Sequence, residues 1–193
     1  MRREDKIYQQ EYGHIPNDQL GRIKHILGNK ADDPKFNEMI AQAVKKIKRI
    51  KWKKLEFTMW KTVLPSPRPR AKNIGYIHMY VPGAKKEGDW FEEFAKENNL
   101  PFINTPCIFN LKVYRKTPSS FNKKQAVLAE LGIIRPWNKT GDFDNYAKGV
   151  ADAIQHGMLD DDCLIGTAKI DKYYSIKPRA EVEILYMEKF PEY

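Results

Sequence analysis

Asp142 and Asp144, one residue apart, and the run Asp160, Asp161 and Asp162 a helix's length later hold the chemistry this sequence offers. Carboxylates at that density repel: two charges ~5 Å apart at an effective dielectric of ~20 cost ~3 kcal/mol. A fold that gathers them needs a cation to offset the repulsion. An all-oxygen donor set suits a hard divalent ion, Mg²⁺ first, with Mn²⁺ as a substitute. Such an ion lowers the pKa of a bound water and draws charge from a phosphoryl oxygen, which is what phosphodiester hydrolysis requires. Lys148 lies four residues after Asp144, on the same helix face one turn on, within reach of a scissile phosphate or its attacking water. The plain structural alternative is an i,i+4 ion pair with Asp144, worth only ~0.3–0.5 kcal/mol.

These residues need a helix and a strand to place them. A helix is expected from about Asp144 to His156, burying Val150, Ala151, Ala153 and Ile154 and stopped by Gly157. Asp142 and Asp144 then sit before or within its first turn, where free N–H groups and the helix dipole favour anions. An N-cap role explains one of them, not both. The triple acid leads into strands expected at 163–174 and 181–188, a closing pair around a Lys177-Pro178 turn, with Cys163 a buried small residue. Upstream, helical spacing is expected over 18–30 and 33–50, the latter with Phe36, Met39, Ile40, Ala43, Val44 and Ile47 on one face. Period-two alternation begins at 55, with Leu55, Phe57 and Met59 on one side of a strand. Three prolines in 64–71 demand an extended or turning loop that holds Arg68 and Arg70 outward. A short strand at 76–80, a helix at 87–99, a strand at 106–115, a short helix or lid-like excursion at 120–132 and a loop at 136–141 complete the reading.

Composition narrows the function classes. The 193 residues hold 34 Lys+Arg against 25 Asp+Glu, a net charge of +9, which attracts a polyanion such as nucleic acid. Basic residues dominate 42–72 while acids gather in 142–162. A positive surface around a local negative pocket serves a metal-dependent phosphodiesterase, the surface binding backbone and the pocket binding metal. Lys45, Lys46, Lys48 and Arg49 are candidate DNA contacts, as are Arg68, Arg70, Lys169 and Lys172; cations at the end of a helix also answer its dipole. No apolar run approaches the ~20 residues of a membrane span. The N-terminus lacks the apolar stretch of a secretory signal. Cys107 and Cys163 form neither a zinc pattern nor a disulfide framework, which points to a reducing cytoplasm. The four histidines share no ligand spacing, and no glycine-rich phosphate loop is present.

Three motifs in chain order resemble the RusA family of Holliday-junction resolvases, small endonucleases of bacteria and their phages. They are Pro65-Ser66-Pro67-Arg68-Pro69-Arg70, Asp142-Phe143-Asp144-Asn145-Tyr146-Ala147-Lys148 and Asp161-Asp162-Cys163-Leu164-Ile165, with Asp152-Ala153-Ile154 resembling a further helix segment. The resemblance covers roughly 55–188. It implies a homodimer that binds four-way DNA junctions and nicks opposing strands with Mg²⁺. By position it makes Asp142, Asp144 and Asp162 the essential acids and Lys148 the catalytic lysine. Asp161 is a further candidate ligand, and Asp160 leaves the register of the third position open among the three. The family's frequent Lys-Pro pair before the first acid is replaced here by Lys139-Thr140-Gly141, and the N-terminal ~50 residues have no counterpart in the minimal pattern. The expected fold is α+β, a mixed sheet flanked by helices over 55–193, preceded by a basic helical extension over 1–54. A nuclease of flaps or single strands, or an inactive DNA-binding protein of the same fold, are the alternative functions.

Overall fold

The computed structural model describes residues 26, 34–47, 49–63, 65, 70–73, 77–80, 89–137, 141–155 and 157–189. In chain order the elements are α1 (Pro34–Ile47), β1 (Trp52–Met59), β2 (Arg70–Asn73), β3 (Ile77–Tyr80), α2 (Asp89–Glu97), β4 (Cys107–Lys116), α3 (Lys123–Glu130), α4 (Phe143–Gln155), a 3₁₀ turn (Asp162–Leu164), β5 (Ile165–Ser175) and β6 (Arg179–Met187). The helix expected at 18–30 lies outside the described residues apart from Ile26, which is helical and exposed. The chain divides into two units, Lys54–Tyr186 and a second made of 1–53 with 187–193.

The four-stranded sheet of mixed orientation runs β1-β6-β4-β5. β4 is one of its two inner strands because alternation gives it an apolar stretch on one face: Cys107, Phe109, Leu111 and Val113 are buried. Ala180, Val182 and Ile184 of β6 continue that face. Tyr146, Val150 and Ile154, spaced four apart on α4, pack against it in one core cluster with Phe91 and Ala95 of α2. Where α2 crosses the end of α4, a Cβ on Gly157 would stand 2.9 Å from the Glu92 Cα, so only glycine allows that approach.

One expectation changes and one alternative is decided. The closing strands are not a hairpin: β4 lies between them, parallel to β5 (Tyr114↔Tyr173) and antiparallel to β6 (Tyr114↔Arg179). Alternation and a Lys-Pro turn specify two strands but not their neighbour, and β4, with its run of buried apolar residues, pairs with both. Over 120–132 the short helix, the first of the two alternatives expected there, is what forms. Asn122 and Gln125 form a reciprocal capping box that starts α3. At its other end Glu130 accepts hydrogen bonds from Ser175 Oγ at 2.8 Å and the Ile176 N–H at 2.9 Å, docking α3 on the β5–β6 link. Two boundaries also move. α1 ends at Ile47, and Trp52, Lys53 and Lys54 already belong to β1. Arg70 opens a strand rather than hanging in a loop, because Arg70↔Tyr80 begins the β2–β3 ladder.

Candidate active site at the start of helix α4

Helix α4 is amphipathic, and its polar side carries the acids. Tyr146, Val150 and Ile154 are buried at 2%, 1% and 0% exposure. At 100° per residue, Asp144 and Lys148 then fall on the opposite side, and both are exposed. Asp144 occupies the first turn, and Asp142 precedes it, also exposed. Ala153, expected inside, is half-buried, while Tyr146, absent from the expected core, is among its largest members.

The approach to the acid pair is tightly specified. Gly141 has φ +99°, and a Cβ there would lie 2.8 Å from Tyr146 Cε2 and 3.0 Å from Pro65 Cγ. Glycine is therefore required twice, by backbone conformation and by space. Lys172 Nζ donates to the Gly141 carbonyl at 3.2 Å. Burial pushes the Tyr146 phenol up, against a hydrogen bond and positive charge from Arg115 that act the other way. In the β4–β5 register Val113 faces Lys172 and Arg115 faces Tyr174, so both cations rise from the helix-facing side of adjoining strands.

The second acidic segment lies on the 3₁₀ turn, which packs against α4. The bridge Ile103↔Leu159 and the bonds Ile103 N–H to Met158 O (2.7 Å) and Asp160 N–H to Ile103 O (3.0 Å) hold its approach against the core. Asp161 caps the turn: its Oδ1 accepts the Cys163 N–H at 2.8 Å, which holds its carboxyl below the usual range. Asp160, Asp161 and Asp162 are all exposed. So is Cys163, contrary to expectation. The turn intervenes before the strand and brings Leu164, not Cys163, against the core. The hydrogen bond to Asp161 pushes the Cys163 thiol up, and the three aspartates around it add to that.

In kind, this donor set fits a hard cation: exposed carboxylate oxygens on adjoining elements. Among the described residues no three His, Cys, Asp or Glu side chains are already gathered close enough to hold an ion.

The basic candidates separate. Lys45 and Lys46 are exposed in the last turn of α1, and Arg49 is exposed just beyond it. Lys48 and Arg68 lie outside the described residues, and so does the Arg70 side chain. Lys169 is exposed and 3.4 Å from Asp171 Oδ2. Lys172 instead turns to the Gly141 carbonyl. Tyr173 stacks on Tyr114 with centroids 5.1 Å apart, and Tyr174 is buried edge-on to Phe121. Sequence reasoning missed Arg115, Tyr146 and Gly141. Gly141 alone carried a signal, as a glycine directly before the first acid where a Lys-Pro pair is frequent. His156 lies outside the described residues, and among those described no helix is long and apolar enough to cross a membrane.

Residues 61–185 match the family described as endodeoxyribonuclease RusA. The chain is also 36% identical over 135 residues to the uncharacterized protein YqaN of Bacillus subtilis (strain 168), covering 67% of this chain and 94% of that protein. With the acid-bearing helix start, the acidic turn and strands β4 and β5 all inside the matched span, the chain belongs to the RusA endodeoxyribonuclease family, nucleases that act on branched DNA such as Holliday junctions.

Proposed function

We propose that this chain is a Mg²⁺-dependent endonuclease that resolves four-way junctions by paired nicks. Asp142, Asp144 and Asp162 hold the cation, with Asp161 capping the turn beside them, and Lys148 faces the scissile phosphate. One observation carries the reading. Asp144 and Lys148 project on the solvent side of a helix whose other side is locked in the core, next to the exposed acidic turn.

When bound, the cation supplies a water of lowered pKa and a Lewis acid for the phosphoryl oxygens. The protein's own groups do the rest. The carboxylates fix the position at which water meets phosphorus, and the Lys148 ammonium offsets charge that grows on the phosphate in the transition state. Hydrolysis adds water across one phosphodiester bond and breaks one P–O bond. The described residues hold one such acid constellation, so opposing strands of a junction require two copies, which supports a homodimer. Lys45, Lys46, Arg49 and Lys169 are exposed cations available to the DNA backbone.

Labelled four-way junction, flap, duplex and single strand, each incubated with Mg²⁺ and then with EDTA, test this. Symmetric nicks at the crossover, abolished by chelator and supported by Mn²⁺, are expected. Ca²⁺ should support binding without turnover, since the larger ion takes longer, less regular coordination. Undiminished cleavage in EDTA removes the metal from the mechanism. Preferential cutting of flaps or single strands replaces the junction as substrate.

A further inference from the structure

Lys172 has the residue type of a DNA contact but the geometry of something else. It is half-buried on the helix-facing side of β5, and its Nζ donates at 3.2 Å to the carbonyl of Gly141, the residue before Asp142. That carbonyl belongs to a backbone already confined. Its φ of +99° and the contacts with Tyr146 and Pro65 leave it no side chain and no space. Tyr146, on the far side of the same turn, is bonded to Arg115 of β4. The acid pair therefore leaves a segment restrained by one cation from each of two adjoining strands.

We infer that Lys172 is a positioning residue for the acid pair, acting through the Gly141 carbonyl rather than on DNA, and that it sets the site's affinity for its divalent cation. The inference rests on the assignment of Asp142 and Asp144 as ligands. Its physical basis is that groups which orient ligands without touching the ion typically govern metal affinity by about 10–100-fold. A second consequence follows from charge. If Lys172 acted only as a nearby positive charge, its removal would tighten cation binding. If it acts by holding the backbone, its removal weakens binding despite the relieved repulsion. The two readings differ in sign.

Mn²⁺ affinity of the free protein, measured by calorimetry, reads that sign without any cleavage. Lys172→Met is expected to weaken Mn²⁺ binding by about tenfold. Lys172→Gln, which keeps an N–H donor but no charge, should fall between Met and the parent, and Lys172→Arg should stay near the parent. The logarithmic salt slope of junction binding should be unchanged in all three. Tighter Mn²⁺ binding by the Met variant, or a salt slope reduced by about 0.9, as expected when one fewer phosphate is neutralised, overturns the proposal. Should the Met variant not fold, the sign for Lys172→Gln against the parent decides. Asp144→Asn is the control for the underlying assignment. If it binds Mn²⁺ like the parent, the metal site itself is wrong; if it loses Mn²⁺ while Lys172→Met does not, only the positioning role fails.

Discussion

On the side of the sheet turned away from α4, Arg135, Tyr173, Tyr114, Arg179 and Trp60 follow one another across the strands. Arg135 lies 4.3 Å over the Tyr173 ring, Tyr173 stacks on Tyr114 at 5.1 Å, and Arg179 sits 3.5 Å from the Tyr114 centroid and 5.7 Å from that of Trp60. Charges nearby are matched by opposites: Arg179 Nε meets Glu181 at 2.8 Å, and Lys54 meets Glu56 at 2.7 Å and Glu183 at 2.8 Å. The start of α4 and the neighbouring 3₁₀ turn are also rich in charge, but there five exposed carboxylates of one sign lie on adjoining elements. Opposite charges at hydrogen-bond distance consume each other and leave little for a ligand. Charges of one sign close together repel, which is the physical reason an offsetting cation is proposed there.

Substitutions that remove the same kind of group from each region separate them most clearly. Asp144→Asn or Asp142→Asn should lower single-turnover junction cleavage by more than ~10²-fold while leaving gel-shift binding intact or tighter, since each removes a negative group from the DNA's path. Asp162→Asn should match them. Asp161→Asn, which keeps an oxygen for the Cys163 N–H, should be milder. The reverse order makes Asp161 the ligand.

Gly141→Ala attacks the support instead of the acids. Placing a Cβ at +99° against Tyr146 and Pro65 should destabilise the protein by about 1–3 kcal/mol in urea unfolding. It should also depress cleavage beyond what the smaller folded fraction explains. An alanine variant with parental cleavage would show that the approach to the acids need not be rigid.

The sheet face should answer in stability alone. A double-mutant cycle on Tyr114 and Tyr173 should give a coupling of about 0.5–1.5 kcal/mol, with junction nicking by the folded protein unchanged. Coupling to cleavage would make the face part of the site. Acid titration probes the same face. Burial pushes Glu183 up, but Lys54 and Asn110 outweigh it and its carboxyl is lowered overall. A lowered folded pKa means its contribution is present above the ordinary Glu range and disappears as pH falls through the folded value. Glu183→Gln should therefore flatten the acid limb of the stability–pH curve.

The smallest effect is expected at the basic segment. Neutralising Lys45, Lys46, Lys48 and Arg49 should weaken junction binding and reduce its log–log salt slope by about 0.9 for each phosphate no longer neutralised, with the cleavage rate at saturation unchanged. An unchanged slope would turn these cations away from DNA.

The sequence by itself determined most of the local elements and marked the acids from which a site is proposed. Alternation in β4, four-residue spacing on α4 and carboxylates at a helix start are local periodicities, legible because each depends only on neighbours along the chain. It also placed Asp144 and Lys148 on one helix face. The tertiary structure alone decided what lies beside what. That β4 separates β5 from β6 depends on which strand has the most apolar face to bury, a competition among residues far apart in the chain, such as Asn110 and Glu183, 73 positions apart. That Cys163 is outside and Leu164 inside depends on one turn inserted before the strand. That Lys172 holds the Gly141 carbonyl, 31 positions away, depends on the β4–β5 register and on α4 lying across it. A lysine's sequence context shows a charge; only packing shows the carbonyl to which it donates.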